Sequence, residues 1–308
     1  MRLFLLRFVI TTMAVSLSGC ESLKVINAPE ARGTQGGDVA IYVVGEGSMA
    51  STGEEESEDF DKEKYVKELP EAVKKECIYY QSANILGATA IPLILAGVNI
   101  AYNQAADAFK DAMLAKIARF QQTYEGQKNV KNFIPAANEK ASRCVEIRRS
   151  ITGDDGKPLI ASQIVLGFAD AGSSALQIKP VYVRFNRFAA STQPDPKGNA
   201  VDVAVTVGII TLASDGGEPG LRRYEQNIKL RNVPLGQDYA VSKVPPTAIF
   251  PRLPARPATI VMAVTETGKG FGEFEGFEKA FEANREIIGV ALGNAIETRL
   301  NAIAAGTN

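Results

Sequence analysis

The chain has 308 residues, 45% of them hydrophobic, with 34 Lys and Arg against 35 Asp and Glu and a formal net charge of −1. That length can bury a sizeable core in one large or two modest domains, and the even charge balance excludes a basic nucleic-acid-binding face. The chain has no histidine, the usual general base near neutral pH and the commonest metal ligand. A Ser-His-Asp hydrolase, a Cys-His protease and a His-ligated zinc enzyme are therefore excluded, leaving carboxylate chemistry, Ser-Lys chemistry or a role without catalysis.

In chain order, Arg2 and Arg7 precede an uncharged, mostly apolar run from Phe8 to Leu17. The run is too short to cross roughly 30 Å of hydrocarbon as a permanent helix, which makes it a cleaved export signal. It closes on Leu17-Ser18-Gly19-Cys20, where two small residues admit a peptidase and Cys20 supplies a thiol. This arrangement resembles the signal peptide of a bacterial lipoprotein. The resemblance implies removal of residues 1–19, lipidation of Cys20 and attachment of the mature chain to a membrane of the bacterial cell envelope. Glu21, rather than Asp, after the cysteine resembles outer-membrane-directed lipoproteins, which implies an outer-membrane location facing the periplasm.

Residues 20–37 are polar and contain Pro29 and several glycines, as expected of a tether, with a reach of roughly 55 Å if fully extended. Residues 38–308 are expected to form the folded body. Val39 to Val44 reads as a first strand ended by Gly45 and Gly47. The acidic cluster Glu54 to Asp59 lacks the spaced oxygens and turn glycine of a calcium loop, and reads as a solvated approach to a helix over about 61–75.

From Cys77 to Ala106 there is no charged residue, and the centre at 85–101 is nearly all small or apolar. Pro92, Asn99 and two glycines argue against a membrane span, so the segment reads as a buried helical element. Tyr102, Ala105, Phe109, Met113, Ile117, Phe120 and Tyr124 then recur every three or four residues, the pattern of an amphipathic helix. A helical segment over about 61–140, containing a helical pair, is the expectation. Once Cys20 carries lipid, Cys77 and Cys144 remain, and an exported pair most simply forms a disulfide. Closing that loop of roughly 67 residues constrains the unfolded chain by about 4 kcal/mol.

A β-rich segment is expected over about 144–267, with period-two alternation replacing the helical pattern. Cys144 to Ile151 and Ile160 to Phe168 are candidate strands. Val181, Val183 and Phe185 alternate with Tyr182, Arg184 and Asn186. After a turn at 194–198, Val201, Val203, Val205, Val207 and Ile209 repeat the pattern, so the two segments read as an antiparallel hairpin. Ile228 and Leu230 suggest a further strand, and Thr259 to Thr265 a more fully buried one. Val244-Pro245-Pro246 with Pro251, Pro254 and Pro257 forces an extended path, read as a loop crossing the sheet or a binding strap. Phe277, Phe281, Ile288, Leu292, Ile296 and Ile303 form the stripe of a closing helix over about 277–304, which would cover one sheet face. The fold class expected is α+β: an antiparallel sheet or sandwich with a helical pair and a packed C-terminal helix.

No motif commits the chain to chemistry. Gly268-Lys269-Gly270-Phe271-Gly272 misses both phosphate-binding signatures, with Glu273 where a third dinucleotide glycine would stand and Gly270 where a P-loop needs Ser or Thr. Ser173 and Ser174 lack Ser-x-x-Lys spacing to Lys179. Asp202, Glu225, Glu266 and Glu275 are the scattered carboxylates from which a glycosidase pair would be drawn. The expectation is therefore a lipid-anchored, non-enzymatic envelope protein with no metal, cofactor, nucleotide or nucleic acid. It would dock on another envelope component or on a copy of itself. The alternatives are a membrane-active protein inserting 85–101 and a carboxylate-dependent cell-wall glycosidase.

Overall fold

Alternating apolar residues give each strand one face to bury, and such faces must meet one another to leave water. The computed structural model describes residues 30–44, 62–78, 118–133, 144–171, 175–196, 199–215, 218–251, 256–269 and 289–290. Among these, β3 (Cys144–Thr152), β4 (Pro158–Asp170) and β5 (Ala175–Phe185) form a meander. β1 (Asp38–Val44) joins the free side of β3, and the two-residue β8 (Phe250–Pro251) joins β5. The order of this first sheet is β1-β3-β4-β5-β8.

β2 (Gln121–Phe133), β6 (Ala200–Asp215), β7 (Glu218–Pro234) and β9 (Arg256–Gly268) build a second sheet in the order β2-β9-β6-β7. Every strand pair is antiparallel. One apolar cluster takes Ile147, Ile164, Leu166, Ile178 and Phe185 from the first sheet, and Val203, Val205, Leu230, Ile260 and Met262 from the second. Burying each such side chain contributes about 1.5–3 kcal/mol. The fold is α+β and mostly antiparallel β, a sandwich around that shared core. β6 and β9 are covered on both faces, since Ala204, Thr206, Ile210, Val261, Ala263 and Thr265 on the side away from the core are also buried.

The outer face of the first sheet carries a second apolar cluster. α1 (Lys62–Glu68) and α2 (Glu71–Val73) are separated by Pro70, whose missing N–H is tolerated at a helix start. α2 runs on as a π-turn over Lys74–Ile78. Tyr65, Leu69, Val73 and Cys77 recur every four residues and so share a face, which packs on Val44, Cys144, Val165, Val181 and Tyr182. A disulfide joins Cys77 to Cys144, with their Cα atoms 5.7 Å apart, and ties α2 to the first residue of β3. Gly167 of β4, paired with Cys144 of β3, leaves room there: a Cβ would lie 2.8 Å from Val181.

Four expectations change. β5 and β6 are not a hairpin: they lie in different sheets, and residues 186–199 cross between them. Two strands with the same alternation are indistinguishable by pattern from a paired couple, and this connector is long enough to change sheets. The expected helical segment to 140 gives way at Gln121, where β2 begins after a helical turn at 118–120. Tyr124, Gly126, Lys128 and Val130 take the inward side of β2 while Thr123, Glu125, Gln127 and Asn129 are exposed, and the long ladder with β9 outweighs helix propensity. Gly126 is needed where it stands, because a Cβ would lie 2.9 Å from Ile41 of β1.

Of the expected tether at 20–37, residues 30–37 belong to the body instead, where Ala31 and Thr34 are hydrogen-bonded to Thr192 and Phe188. The Pro-rich segment does not cross the sheet but follows its edge, where Thr247 N–H donates to Ile178 O (2.9 Å) and β8 pairs with Ala175 and Leu176. The segment at 85–101 and Cys20 lie outside the described residues. So does the expected helix at 277–304, except for Gly289 and Val290, which are helical.

Candidate functional site

Successive side chains of a strand point to opposite faces, so the consecutive Arg148 and Arg149 of β3 enter different environments. Both are buried, and each organises a charge cluster.

Arg149, 1% exposed, points into the sandwich. Its Nη1 donates to the carbonyls of Thr34 and Gly36, both at 2.9 Å, and its Nη2 to that of Arg187 at 2.8 Å. The guanidinium lies 5.4 Å from the centre of the Tyr124 ring, whose hydroxyl is 2.9 Å from Ser162 Oγ. On β9, Glu266 is fully buried, and its Oε2 accepts the N–H groups of Ala189 (2.6 Å) and Ala190 (3.2 Å). Glu266 Oε1 and Arg149 Nε have no hydrogen-bond partner. Burial pushes the Glu266 carboxyl up to about 7 against the opposing pull of Arg149 and the two N–H groups. Burial and the Glu266 carboxylate likewise hold the Tyr124 phenol well above its ordinary value.

The outer cluster is built around side-chain contacts. Glu146, with no exposed surface, accepts Arg148 Nε at 2.7 Å, Gln163 Nε2 at 2.9 Å and the hydroxyl of Tyr65 from α1. Arg148 lies 5.1 Å from each of the Tyr42 and Tyr65 ring centres, and the two rings are stacked on each other with their centres 4.9 Å apart. Burial and Glu146 raise the Tyr65 phenol well beyond its usual range, so it stays a donor. Beside this cluster, Arg184 and Tyr182 converge on Asp238 Oδ1 at 3.0 and 2.9 Å.

The residues singled out from sequence are dispersed. Lys179 is ion-paired with Glu76 at 3.2 Å, while Ser173, Ser174 and Glu275 lie outside the described residues. Asp202 caps the backbone by accepting Asn232 N–H at 2.8 Å, where Asn232 has φ 55, and Glu225 pairs with Arg223 at 2.6 Å. Register places Asp202 and Glu225 on the opposite face of the second sheet from Glu266, and roughly 20 Å from each other along the strands. No two of Asp202, Glu225 and Glu266 face each other. Gly268 is explained by a close approach rather than by phosphate: a Cβ there would lie 1.7 Å from Ser191 O, and Lys269 N–H donates to Thr192 Oγ1 at 3.1 Å.

Family models, curated proteins and solved structures offer no match to the chain. The site therefore stands on its geometry. Among the described residues no group of three or more metal-ligating side chains converges, and no helix is long and apolar enough to cross a membrane.

The two clusters were missed from sequence, although a signal for them is there. Arg149 follows Val145 and Ile147 in alternation, and Glu266 follows Ile260, Met262 and Val264, so each places a charge at a position its strand reserves for the core. A buried charge is retained only where something compensates it. Here the compensation is backbone: Arg149 and Glu266 together grip the crossover at Arg187, Ala189 and Ala190, and Arg149 also grips the chain at Thr34 and Gly36. With Glu266 wholly enclosed, the cluster works by holding chain segments in place.

Proposed function

We propose that the protein is a lipid-anchored component of the bacterial cell envelope whose role is to dock another envelope component, or a second copy, close to a membrane surface. The observation that carries this reading is the distance along the chain between anchor and body. Cys20 closes the lipid-attachment pattern, and Glu30 is already held to the body by Arg119 at 3.0 Å. Only about ten residues intervene, so the body stays within roughly 35 Å of the bilayer. The Cys77–Cys144 disulfide supports the same reading, because such bonds persist in oxidising compartments such as the periplasm. The carboxylates Asp202, Glu225 and Glu266 serve as a backbone cap, an ion pair and a core clamp, which favours docking over catalysis.

Intact mass of the chain extracted from membranes, with and without reductant and beside Cys20→Ala, tests the anchor. Acyl mass on a chain starting at Cys20, and absent from the variant, is the expected result; an unmodified soluble chain overturns it. Crosslinking in intact envelopes tests the docking role, and recovery of only the lone polypeptide overturns that part.

A further inference from the structure

Glu30–Gly37 lies on the body without entering its core. No side chain of this segment belongs to either apolar cluster, and Arg32, Thr34, Gln35, Gly36 and Gly37 are exposed. It is held by polar contacts, beginning at Glu30, whose carboxylate accepts Arg119 Nε at 3.0 Å and Nη2 at 3.2 Å. Ala31 and Thr192 exchange backbone hydrogen bonds at 2.8 and 3.0 Å, Thr34 N–H donates to Phe188 O at 2.7 Å, and Gly33 N–H donates to Ser191 Oγ at 3.3 Å. Two of the three hydrogen bonds of Arg149 end on it, at Thr34 and Gly36. Its seat is prepared from below, because Glu266 fixes Ala189 and Ala190 in the crossover against which it lies.

The segment ends in two glycines. Gly36 and Gly37 adopt φ of 77° and 110°, in the left-handed region open to glycine, and β1 begins immediately afterwards at Asp38. Rotation at these two residues can carry the segment away while β1 stays paired with β3. It also fits its seat with no clearance: a Cβ on Gly33 would lie 2.3 Å from Ala189 O and 2.4 Å from Ala190 O.

We propose that Glu30–Gly37 is a releasable strap, a reserve length of the tether latched to the body by Arg149 and pivoting at Gly36–Gly37. Its use in setting the distance from a membrane rests on the lipid-anchor reading; the latch itself does not. Release adds about eight residues, or roughly 28 Å of reach, to the roughly 35 Å allowed while the strap is docked. Because release strips Arg149 of two acceptors, the open form is a minor state. A partner lying farther from the bilayer would select it.

Amide exchange on the purified full chain in detergent tests the latch without reference to lipid. In the wild type, the amides of Ala31 and Thr34 should exchange at least tenfold faster than those of β4 and β6, reporting local opening below global unfolding. Gly33→Val should speed exchange at Ala31 and Thr34 a further tenfold or more and leave β4 and β6 unchanged. Arg149→Lys keeps the charge but loses the fork, and should increase tryptic cleavage after Arg32 in step with exchange at Thr34. Strap amides that exchange at the rate of β4 and β6, or a Gly33→Val chain in which all of them change together or none does, overturn the proposal. Failure of acylation at Cys20 with a strap that opens locally would instead remove only the membrane use.

Discussion

Arg148 and Arg149 are neighbours in sequence, equally charged and both buried, yet they are neutralised in opposite ways. Arg148 is answered by a carboxylate two residues away on its own strand and by two tyrosine rings, and Glu146 in turn has three donors. That cluster is closed, and through Tyr65 it fixes α1 to the sheet. Arg149 is answered mainly by backbone carbonyls from segments more than thirty residues away in sequence, at Thr34, Gly36 and Arg187, and its own Nε and Glu266 Oε1 stay unpaired. A charge satisfied by side chains staples one element. A charge satisfied by backbone instead sets the path of loops, and its loss passes to every segment it held.

The largest difference should appear on removing each cation. Arg149→Met leaves three carbonyls without their donor and Glu266 without an opposing charge, and should lower unfolding free energy by about 3–5 kcal/mol in urea titrations. Arg148→Met should cost less, because Glu146 keeps Tyr65 and Gln163 as donors; equal losses would erase the distinction between the clusters. Next, Cys77→Ala with Cys144→Ala removes the covalent staple of the outer face and should cost about 2–4 kcal/mol, a loss that reductant reproduces in the wild type.

The inner cluster should also respond to pH. The folded value of Glu266 near 7 lies above its ordinary carboxylate value, so its protonated form favours folding. That contribution is complete below about pH 4.5 and is lost as pH rises through about 7. Unfolding free energy of the wild type should therefore fall relative to Glu266→Gln across that interval, by up to about 3 kcal/mol, and parallel profiles would show that Glu266 does not titrate there. The smallest effect belongs to the outer cluster, where Tyr65→Phe removes one donor from Glu146. It should cost about 1–2 kcal/mol, with increased amide exchange confined to α1.

Much of the β framework was legible because its strands advertise the core by alternation. β1, β3, β4, β6, β7 and β9 fall where Val, Ile and Leu repeat every second residue, and the Cys77–Cys144 pairing followed from the cysteine count and the expected export of the chain. β2 was hidden because only Tyr124 and Val130 on its inner face are large and apolar, while Phe120 and Tyr124 extend a helical periodicity across its start. The separation of β5 from β6 was hidden because alternation specifies which face is buried, never which strand lies alongside. The site was hidden because its contacts are to carbonyls and amides, which every residue carries.

The opposed arginines also bear on how β3 finds its place. A one-residue slip of this strand would turn Glu146 and Arg148 into the sandwich and bring Val145, Ile147 and Arg149 out beneath α1. A carboxylate and a guanidinium would then face aliphatic side chains, and Arg149 would have no carbonyls to receive it. Misaligned pairing is penalised on both surfaces of the sheet at once, so the dipeptide Arg148-Arg149 acts as a proofreading mark for strand alignment during folding.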